Sequence, residues 1–380
     1  MKLIGSLRTL FPAMLRALLA LVLTTNCVLA AGPVQVAPPA STTVSAAASP
    51  ASAAETVAKA SSGKQANRVY RFGMVPWIAY SPLHVAAELG FWKKLGVEVT
   101  VVSYPTNPSM YRGIAGGDVD LCMDMIGSMV GMYLDGVDVK ILGETDWSHG
   151  GDKIIVKRDL DVARLKARPI GVYLDKPSVT FFLNRFLQDW GLKLSDVRIQ
   201  ELTMQELADA FIDGKFNVIL NCDPEALRAE RDGEGRQGVT SADFAGIIPE
   251  GFVSRSDRFA AIPRDDLVKI FRGWVQAVRW LHDSRNWNEF RRILNSRTFQ
   301  SDGPYTEADM QDMFRSVRIH PASTQARRNI SVDGLRGYLQ SVHAFLKDND
   351  MLEREFFLDD ILDNSALIDA LKLEGEAVQP

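Results

Sequence analysis

Residues Phe72–Asp120 read FGMVPWIAYSPLHVAAELGFWKKLGVEVTVVSYPTNPSMYRGIAGGDVD and decide the fold class. A short apolar run at Arg71–Val75 leads into an aromatic loop and then into a helix that opens at Ser81-Pro82. A second apolar run, Val97–Val102, precedes a second helix. Strands that alternate with helices indicate an open α/β sheet, whose ligands bind beyond the carboxyl ends of the strands. The polar and aromatic residues at these turns therefore predict a binding cleft.

The same alternation continues through the middle of the chain. Thr203-Met204-Gln205-Glu206 is a capping-box signature that predicts the start of a helix running to Asp213. Beyond about Ile247 the pattern becomes helical, and Asp265–His282 carries an apolar stripe at helical spacing. Further strands are expected at Asp120–Met123, Val139–Gly143, Lys153–Lys157, Ile170–Leu174, Val197–Leu202 and Asn217–Asn221.

Two α/β units followed by helices predict a two-lobed protein with a hinge. The chain is expected to cross from the first lobe to the second near Lys153–Asp159 and to return near Ala245–Arg255. A cleft between the lobes would then be lined by strand-end loops from both. The predicted organisation is lobe 1 at 68–157 and 250–380, the latter including the C-terminal helices, and lobe 2 at 158–249.

The N-terminal residues 1–30 have the pattern of a cleaved export signal. Basic residues precede an apolar core at Ala17–Leu23, which is too short to span a bilayer, and Val28-Leu29-Ala30 fits a signal-peptidase site. An uncleaved anchor helix and a lipid-modified Cys27 are the alternatives. Residues 31–67 are rich in Ala, Ser, Pro and Thr, which predicts a disordered tether.

Charge and cysteine content exclude several classes of function. The chain has 43 Lys+Arg against 47 Asp+Glu, and removal of the three basic residues of the signal leaves 40 against 47, a net charge of −7. This acidic balance argues against a nucleic-acid partner. Cys122 and Cys222 lie in different predicted sheets, so no disulfide between them is expected. The five histidines show no ligand spacing, and neither a metal nor a cofactor is predicted.

Short motifs along the chain carry a family resemblance: Trp77…Ser81-Pro82-Leu83, Gly90-Phe91-Trp92, Gly116-Gly117-Asp118-Val119-Asp120, Ser148-His149-Gly150-Gly151-Asp152 and Gly214-Lys215-Phe216-Asn217. In this order they resemble the periplasmic substrate-binding proteins of ABC importers, in the nitrate/sulfonate/taurine and thiamine-pyrimidine-precursor branch. The resemblance implies an α/β, two-lobed type 2 periplasmic binding protein fold with two hinge crossovers, closing on its ligand by hinge bending. It also implies a periplasmic monomer that serves an ABC permease and ATPase complex.

The strand-end loops supply the candidate ligand-binding residues. From the first lobe these are Trp77, Tyr80, Ser81, Asp124, Ser128, Asp146 and Trp147, and from the second lobe Ser178, Thr180, Asn221 and Asp223. Each has a structural alternative: the aromatic residues can close strand ends, and Ser81, Asp124 and Ser178 can cap helices. Where the resembling family often has an aromatic residue before an acid-proline pair, this chain has Cys222, which makes that wall of the cleft smaller.

The charges of these loops favour a ligand that carries an amine. Acidic residues outnumber Lys176: they are Asp124, Asp146, Asp223 and Glu225. The sequence therefore predicts a binding protein for a small amine-bearing or zwitterionic solute of the family's nitrogen- or sulfur-containing kind. A sensory module is the first alternative. A thiamine-pyrimidine-synthase-like enzyme is the second; such enzymes carry a cysteine-rich cluster, whereas the cysteines here are isolated and no catalytic residue is predicted.

Overall fold

The computed structural model of the protein describes residues 68–301 and 304–376. The predicted signal, residues 1–30, and the predicted tether, residues 31–67, lie outside the described residues. Within the described ranges, no helix is both long enough and apolar enough to cross a bilayer.

Eleven strands form two sheets in the described part of the chain. In chain order they are β1 (Val69–Met74), β2 (Glu98–Ser103), β3 (Leu121–Met125), β4 (Val139–Ser148), β5 (Asp152–Lys157), β6 (Ile170–Val172), β7 (Ile199–Glu201), β8 (Val218–Cys222), β9 (Gly235–Thr240), β10 (Pro249–Arg255) and β11 (Val317–Ile319). The first sheet has the order β11-β4-β10-β3-β1-β2, and the second has the order β7-β6-β8-β5-β9.

Both sheets repeat one topology. In the first sheet β1 pairs in parallel with β2 and β3, and the returning strand β10 inserts antiparallel between β3 and β4. In the second sheet β6 pairs in parallel with β7 and β8, and the entering strand β5 inserts antiparallel between β8 and β9. Each sheet thus receives one strand next to the point where the chain crosses. The predicted fold, with two α/β sheets and two crossings, is confirmed.

The crossings themselves are shorter than the sequence predicts. The chain passes between the sheets through residues 149–151, and Asp152–Lys157 is already β5 of the second sheet. The predicted return segment at Ala245–Arg255 is largely β10, a strand inside the first sheet. Gly251 allows this insertion, because a Cβ there would lie 2.0 Å from the carbonyl oxygen of Gly143 on β4.

Helices cover the sheets and form the C-terminal part of the chain. They are α1 (Pro82–Glu88), α2 (Phe91–Lys94), α3 (Asn107–Gly116), α4 (Ile126–Leu134), α5 (Val162–Ala167), α6 (Pro177–Asp189), α7 (Met204–Ile212), α8 (Glu225–Asp232), α9 (Ser256–Ala260), α10 (Arg264–Leu281), α11 (Trp287–Ile293), α12 (Glu307–Arg315), α13 (Ala322–Ile330), α14 (Gly337–Asp348), α15 (Leu358–Ile361) and α16 (Ser365–Leu373). The predicted capping box is present at α7, where Thr203 and Glu206 satisfy each other's backbone amides.

The core of the first sheet is aromatic. Phe252 of β10 stacks on Phe271 of α10 at 4.6 Å between ring centroids, and Trp274 meets the same ring edge-on at 5.2 Å. All three side chains are fully buried. The apolar stripe that the sequence places on Asp265–His282 therefore holds α10 (Arg264–Leu281) against the strand that carries the chain back from the second sheet.

The two halves of the protein also meet through helices. The backbone amide of Ser128 on α4 donates a hydrogen bond of 2.8 Å to the hydroxyl of Ser178 on α6. A Cβ on Gly127 would lie 2.6 Å from the hydroxyl of Tyr338 on α14 and 2.7 Å from Ser178 Oγ, so glycine permits this close approach. α14 thus contacts α4, which follows a strand of the first sheet, and α6, which follows a strand of the second. The predicted assignment of the C-terminal helices to lobe 1, and the predicted boundaries of the lobes, therefore stay a prediction.

Candidate functional site

A cavity of about 120 Å³ lies between the two sheets. Both sheets contribute residues from strand ends and from the loops that follow them, as expected for ligand sites in open α/β sheets. The residues that line it are Val75, Pro76, Trp77, Tyr80, Asn107, Asp124, Met125, Asp152, Tyr173, Met204, Cys222, Asp223 and Glu250.

Aromatic side chains form part of the wall. Trp77 follows β1, and its indole Nε1 donates a hydrogen bond of 2.9 Å to Oε2 of Glu250. A Cβ on Gly151 would lie 2.8 Å from the Trp77 ring, so the crossing segment must stay free of side chain at that point. Tyr80 lies in the next turn and is 2% exposed, and burial raises the pKa of its hydroxyl well above the ordinary value. Both rings are thus fixed before a ligand arrives.

Asp124, at the end of β3, is the most exceptional of the lining residues. Its carboxyl is fully buried and accepts one hydrogen bond of 3.0 Å, from Asn107 Nδ2 to Oδ1. Its second oxygen, Oδ2, is buried without a hydrogen-bond partner. Burial raises the pKa of Asp124 to about 7, against the opposing effect of Tyr111 and Asn107. The Tyr111 hydroxyl acts on this carboxyl and is also buried without a partner. Such unsatisfied groups are costly, and a donor supplied to Oδ2 would remove part of the cost.

A pair of carboxyls lies near Asp124. Glu250 on β10 lies directly opposite Asp146 on β4, and both side chains are buried. The Thr145 hydroxyl donates to Oδ2 of Asp146 at 2.8 Å. Burial raises the pKa of Asp146 to about 6, and burial together with the Asp146 charge raises the pKa of Glu250 well above its ordinary value. Each carboxyl therefore opposes the ionisation of the other, and the effect is larger at Glu250.

The second sheet adds two more acids. Asp152, at the start of β5, accepts a hydrogen bond of 2.6 Å from the Tyr173 hydroxyl. Asp223, which follows β8, forms an ion pair with the buried Lys153. Burial raises the pKa of both carboxyls, although Lys153 opposes the shift at Asp223. Lys153 thus neutralises one acid, and its charge is not free for an anionic ligand.

The charge pattern decides what this cavity can hold. Four of its lining residues are acids, and the lining residues include no Arg, Lys or His. In the described ranges, no group of histidine, cysteine and carboxylate side chains could hold a metal ion. Three buried carboxyls and the partly exposed Asp223 surround a small space, and they favour a ligand with positive charge or several N–H donors over an anion.

The cavity gathers some of the residues predicted from sequence. Trp77, Tyr80, Asp124 and Asp223 line it, and Asp146 lies behind Glu250. Asp124 does not cap the following helix, since no side-chain cap is present at the start of α4. The helix-capping alternative for Asp124 is therefore wrong, and its carboxyl is available to the cavity.

The other predicted residues lie outside the lining and mostly bind their own loops. Ser81 Oγ donates to the Ile78 carbonyl at 2.6 Å, Thr180 Oγ1 donates to the Lys176 carbonyl at 3.2 Å, and Asn221 Nδ2 donates to the Met204 carbonyl at 2.8 Å. Ser128 and Ser178 hold α4 against α6. Trp147 packs edge-on against His320 at 4.8 Å between ring centroids.

Sequence reasoning missed several of the lining residues. Glu250 is not among the predicted site residues, because the sequence predicts an extended crossover at Ala245–Arg255, where the structure has strand β10. Asn107 is not among the predicted site residues. Thr106 is the cap of α3, which leaves the Asn107 amide free to donate to Asp124. Asp152 is also not among the predicted site residues. The signal that could have found it is the acid at the first residue of a buried, apolar strand, DKIIVK.

A buried ion-pair network supports the site from behind. Glu144 on β4 is fully buried and receives two hydrogen bonds from Arg328, at 2.7 Å and 2.9 Å, and one contact of 3.0 Å from His320 Nε2. Burial acts to raise the pKa of Glu144, but the hydrogen bonds from His320 and Arg328 outweigh it and hold the pKa below its ordinary value. The network ties α13 to the strand that carries Asp146.

The pKa of Asp124 predicts a pH dependence of stability. In the folded protein the pKa of Asp124 is about 7, whereas its ordinary value is 3.8. The contribution of this carboxyl to the free energy of unfolding is therefore fully present below pH 3.8 and is lost as the pH rises to about 7. Asp124→Asn should not show this loss of stability, because asparagine does not ionise. Between about pH 5 and pH 8, the free energy of unfolding of the variant relative to wild type should therefore rise by about 2–3 kcal/mol.

Urea denaturation of the ligand-free protein at both pH values measures this difference. Asp348→Asn, an exposed acid outside the cavity lining, is the matched control and should show little change with pH. A difference for Asp124→Asn that stays constant between the two pH values would contradict a protonated, buried Asp124.

Two sheets of one topology, joined by two crossings around a cleft, define the class of periplasmic binding protein folds. The chain belongs to the NMT1-like family, whose match covers residues 63–295. This membership confirms the family resemblance predicted from the sequence.

Individual relatives agree on the fold. The bicarbonate-binding protein CmpA of Synechococcus elongatus is 22% identical over 261 residues, which cover 61% of this chain and 58% of CmpA, so the match spans less than two thirds of that relative. The alkanesulfonate-binding protein SsuA of Xanthomonas axonopodis pv. citri, with bound MOPS, aligns at a TM-score of 0.61 with 18% identity, covering 77% of this chain and 97% of SsuA. The nitrate-binding protein NrtA of Synechocystis PCC 6803 aligns at 0.59 with 14% identity, covering 81% and 89%.

An enzyme has a related fold. The desulfurization enzyme DSZB aligns at a TM-score of 0.51 with 17% identity, covering 80% of this chain and 99% of DSZB. The fold by itself therefore does not distinguish a binding protein from an enzyme, whereas the residues that line the cavity bear on this distinction.

Proposed function

We propose that this protein is the substrate-binding component of an ABC importer, which captures a small amine-bearing solute in the cavity between its sheets and delivers it to a membrane permease. Relatives named for binding bicarbonate, alkanesulfonate and nitrate support the binding role. The export signal predicted at residues 1–30 supports a periplasmic location. Two cysteines that lie free and in different sheets support binding rather than the chemistry of a cysteine-rich enzyme.

The buried, unpartnered oxygen of Asp124 carries the choice of ligand class. An ammonium or amidinium N–H placed in the cavity would satisfy Oδ2 and allow Asp124 to ionise. An anion of the kind named for the relatives would instead meet Asp124 and Asp152, which have no counter-charge in contact. The cost of bringing like charges together in a dry site opposes such binding.

The position of α6 favours an amine over a zwitterion. In this fold an acidic ligand group needs a helix N-terminus or a free cation. The N-terminus of α6 is covered by α4, since Ser128 N bonds Ser178 Oγ and a Cβ on Gly131 would lie 2.8 Å from Pro177 Cδ. Lys153 is already paired with Asp223. Among the lining residues, a carboxylate or sulfonate group would therefore meet no free cation, and the helix N-termini left for it are those of α3 and α7, which begin at Asn107 and Met204.

A thermal-shift screen tests this proposal. The purified protein is unfolded and refolded to remove any carried ligand. It is then heated with alkylamines, diamines and aminopyrimidines, and separately with nitrate, bicarbonate, taurine and alkanesulfonates. A ligand at about 100 times its Kd adds about 2.7 kcal/mol, which raises the Tm by several degrees. We expect shifts with amines alone. Shifts with the anions alone would contradict the amine proposal and leave the binding role in place.

A further inference from the structure

Both sheets present carboxyls to the same small cavity. Asp124 and Glu250 come from the first sheet, and Asp152 and Asp223 come from the second. The ligand is therefore flanked by acid on two sides rather than held at one end. An acidic cluster alone does not make a site, but here Asp124 lines the cavity, is fully buried, and has an oxygen, Oδ2, without a hydrogen-bond partner.

Of the four lining carboxyls, one on each side has neither a counter-charge nor a second carboxyl opposite it. Lys153 neutralises Asp223. Glu250 lies directly opposite the buried Asp146 and accepts a hydrogen bond from Trp77 Nε1, so its ionisation is opposed by a neighbouring acid. Among the described residues, neither Asp124 nor Asp152 forms an ion pair: Asp124 accepts from the neutral Asn107 amide, and Asp152 accepts from the neutral Tyr173 hydroxyl. Each therefore has hydrogen-bonding support and no counter-charge in contact.

The size and the lining of the cavity limit what joins these two acids. A cavity of about 150 Å³ accommodates benzene, so a cavity of about 120 Å³ suits a molecule of about six heavy atoms. Apolar side chains lie among the acids, including Val75, Met125 and Met204. Such a lining suits a short hydrocarbon spacer between polar ends.

We propose that the ligand is a small dication, two ammonium groups joined by a short apolar spacer, with one group held by Asp124 and the other by Asp152. This inference rests on the proposed function and narrows its ligand class. It also makes Asp152 a specificity-determining residue: a monoamine satisfies the first sheet and leaves Asp152 without a counter-charge. Because the two acids belong to different sheets, a bound dication bridges the two halves of the protein.

Isothermal titration calorimetry with matched probes tests the inference. The probes are diamines with spacers of three, four and five methylenes, butylamine, 4-aminobutanoate and 1,4-butanediol, added to the refolded, ligand-free protein. We expect the best diamine to bind at least about tenfold more tightly than butylamine, since a hydrogen bond between charged groups contributes at least that factor. The diol, which has no charge, should not bind measurably.

The Asp152→Asn variant separates a second ammonium site from general attraction. It should reduce the preference for the diamine over butylamine to about threefold or less. Asp348→Asn is the control, because it removes one exposed acid outside the cavity lining and should keep the full preference. If Asp152→Asn does not fold, the ratio measured on wild type still decides.

The possible failures are distinguishable. Equal binding of butylamine and the diamines, tighter binding of 4-aminobutanoate, or an unchanged preference in Asp152→Asn would overturn the dication and leave the amine proposal intact. Absence of binding for every diamine would also overturn it. Binding of anions in the thermal-shift screen, with no response to any amine, would overturn the amine proposal as well.

Discussion

Combined replacement of Asp124 by asparagine and Glu250 by glutamine is expected to weaken amine binding by at least about 100-fold. Both side chains line the cavity, and loss of one buried, charged partner typically costs 2–5 kcal/mol or more of binding free energy. Both replacements keep the shape of the side chain. The glutamine can still accept from Trp77 Nε1 and can donate to Asp146, so the pair is disturbed little apart from its charge.

A matched double variant controls for net charge. Asp348→Asn with Glu353→Gln removes the same two acids from exposed positions outside the cavity lining, and it should bind the ligand as wild type does. Calorimetry on both proteins, with a melting curve for each to verify folding, gives the comparison. An affinity in the Asp124/Glu250 variant within about threefold of wild type would show that the acids of the first sheet do not hold the ligand.

Replacement of Arg328 by methionine is expected to destabilise the protein by about 3–5 kcal/mol. Glu144 is fully buried, and Arg328 grips both of its carboxylate oxygens, so removal of the guanidinium leaves a buried charge with His320 as its remaining side-chain partner. Breaking one side of a buried ion pair has a cost of this order. Urea unfolding at neutral pH measures the loss.

Two further variants isolate the cause of that loss. Adding Glu144→Gln to Arg328→Met removes the stranded charge and should restore a large part of the stability, because the cost arises from the unpaired carboxylate. Arg315→Met breaks an exposed ion pair with Asp312 and should change stability by less than about 1 kcal/mol. Equal losses for Arg328→Met and Arg315→Met would refute the argument from burial.

Local sequence signals were sufficient for most of the secondary structure. The apolar runs predicted as strands correspond to β1–β8 with small shifts of their ends, except that β4 continues from Gly143 to Ser148 and so contains Asp146 and Trp147, which were predicted in a loop. The stripe at Asp265–His282 corresponds to α10. The capping box at Thr203 and Glu206 is present as predicted. These features depend on periodicity and on contacts between residues that are close in the sequence, so the sequence is sufficient to predict them.

β10 shows where local reasoning stopped. Pro249-Glu250-Gly251 has the composition of a turn, yet it becomes a strand because β3 and β4 supply hydrogen-bonding partners on both sides. Gly251 is needed because the β4 backbone passes so close, a constraint that no property of the segment itself reveals. The misplacement of this strand concealed Glu250, and with it the carboxyl pair.

The sequence by itself determined the α/β alternation, the crossing between two sheets, the family resemblance and an excess of acids at the strand ends. The tertiary structure decided which of those acids share one cavity, which are neutralised, and which stand alone. It brought Asp152 and Tyr173 to Asp124 and Trp77, and it paired Asp223 with Lys153. The physical reason is that periodicity acts between near neighbours in the chain, whereas burial, interaction between acids and charge compensation depend on groups brought together from distant segments.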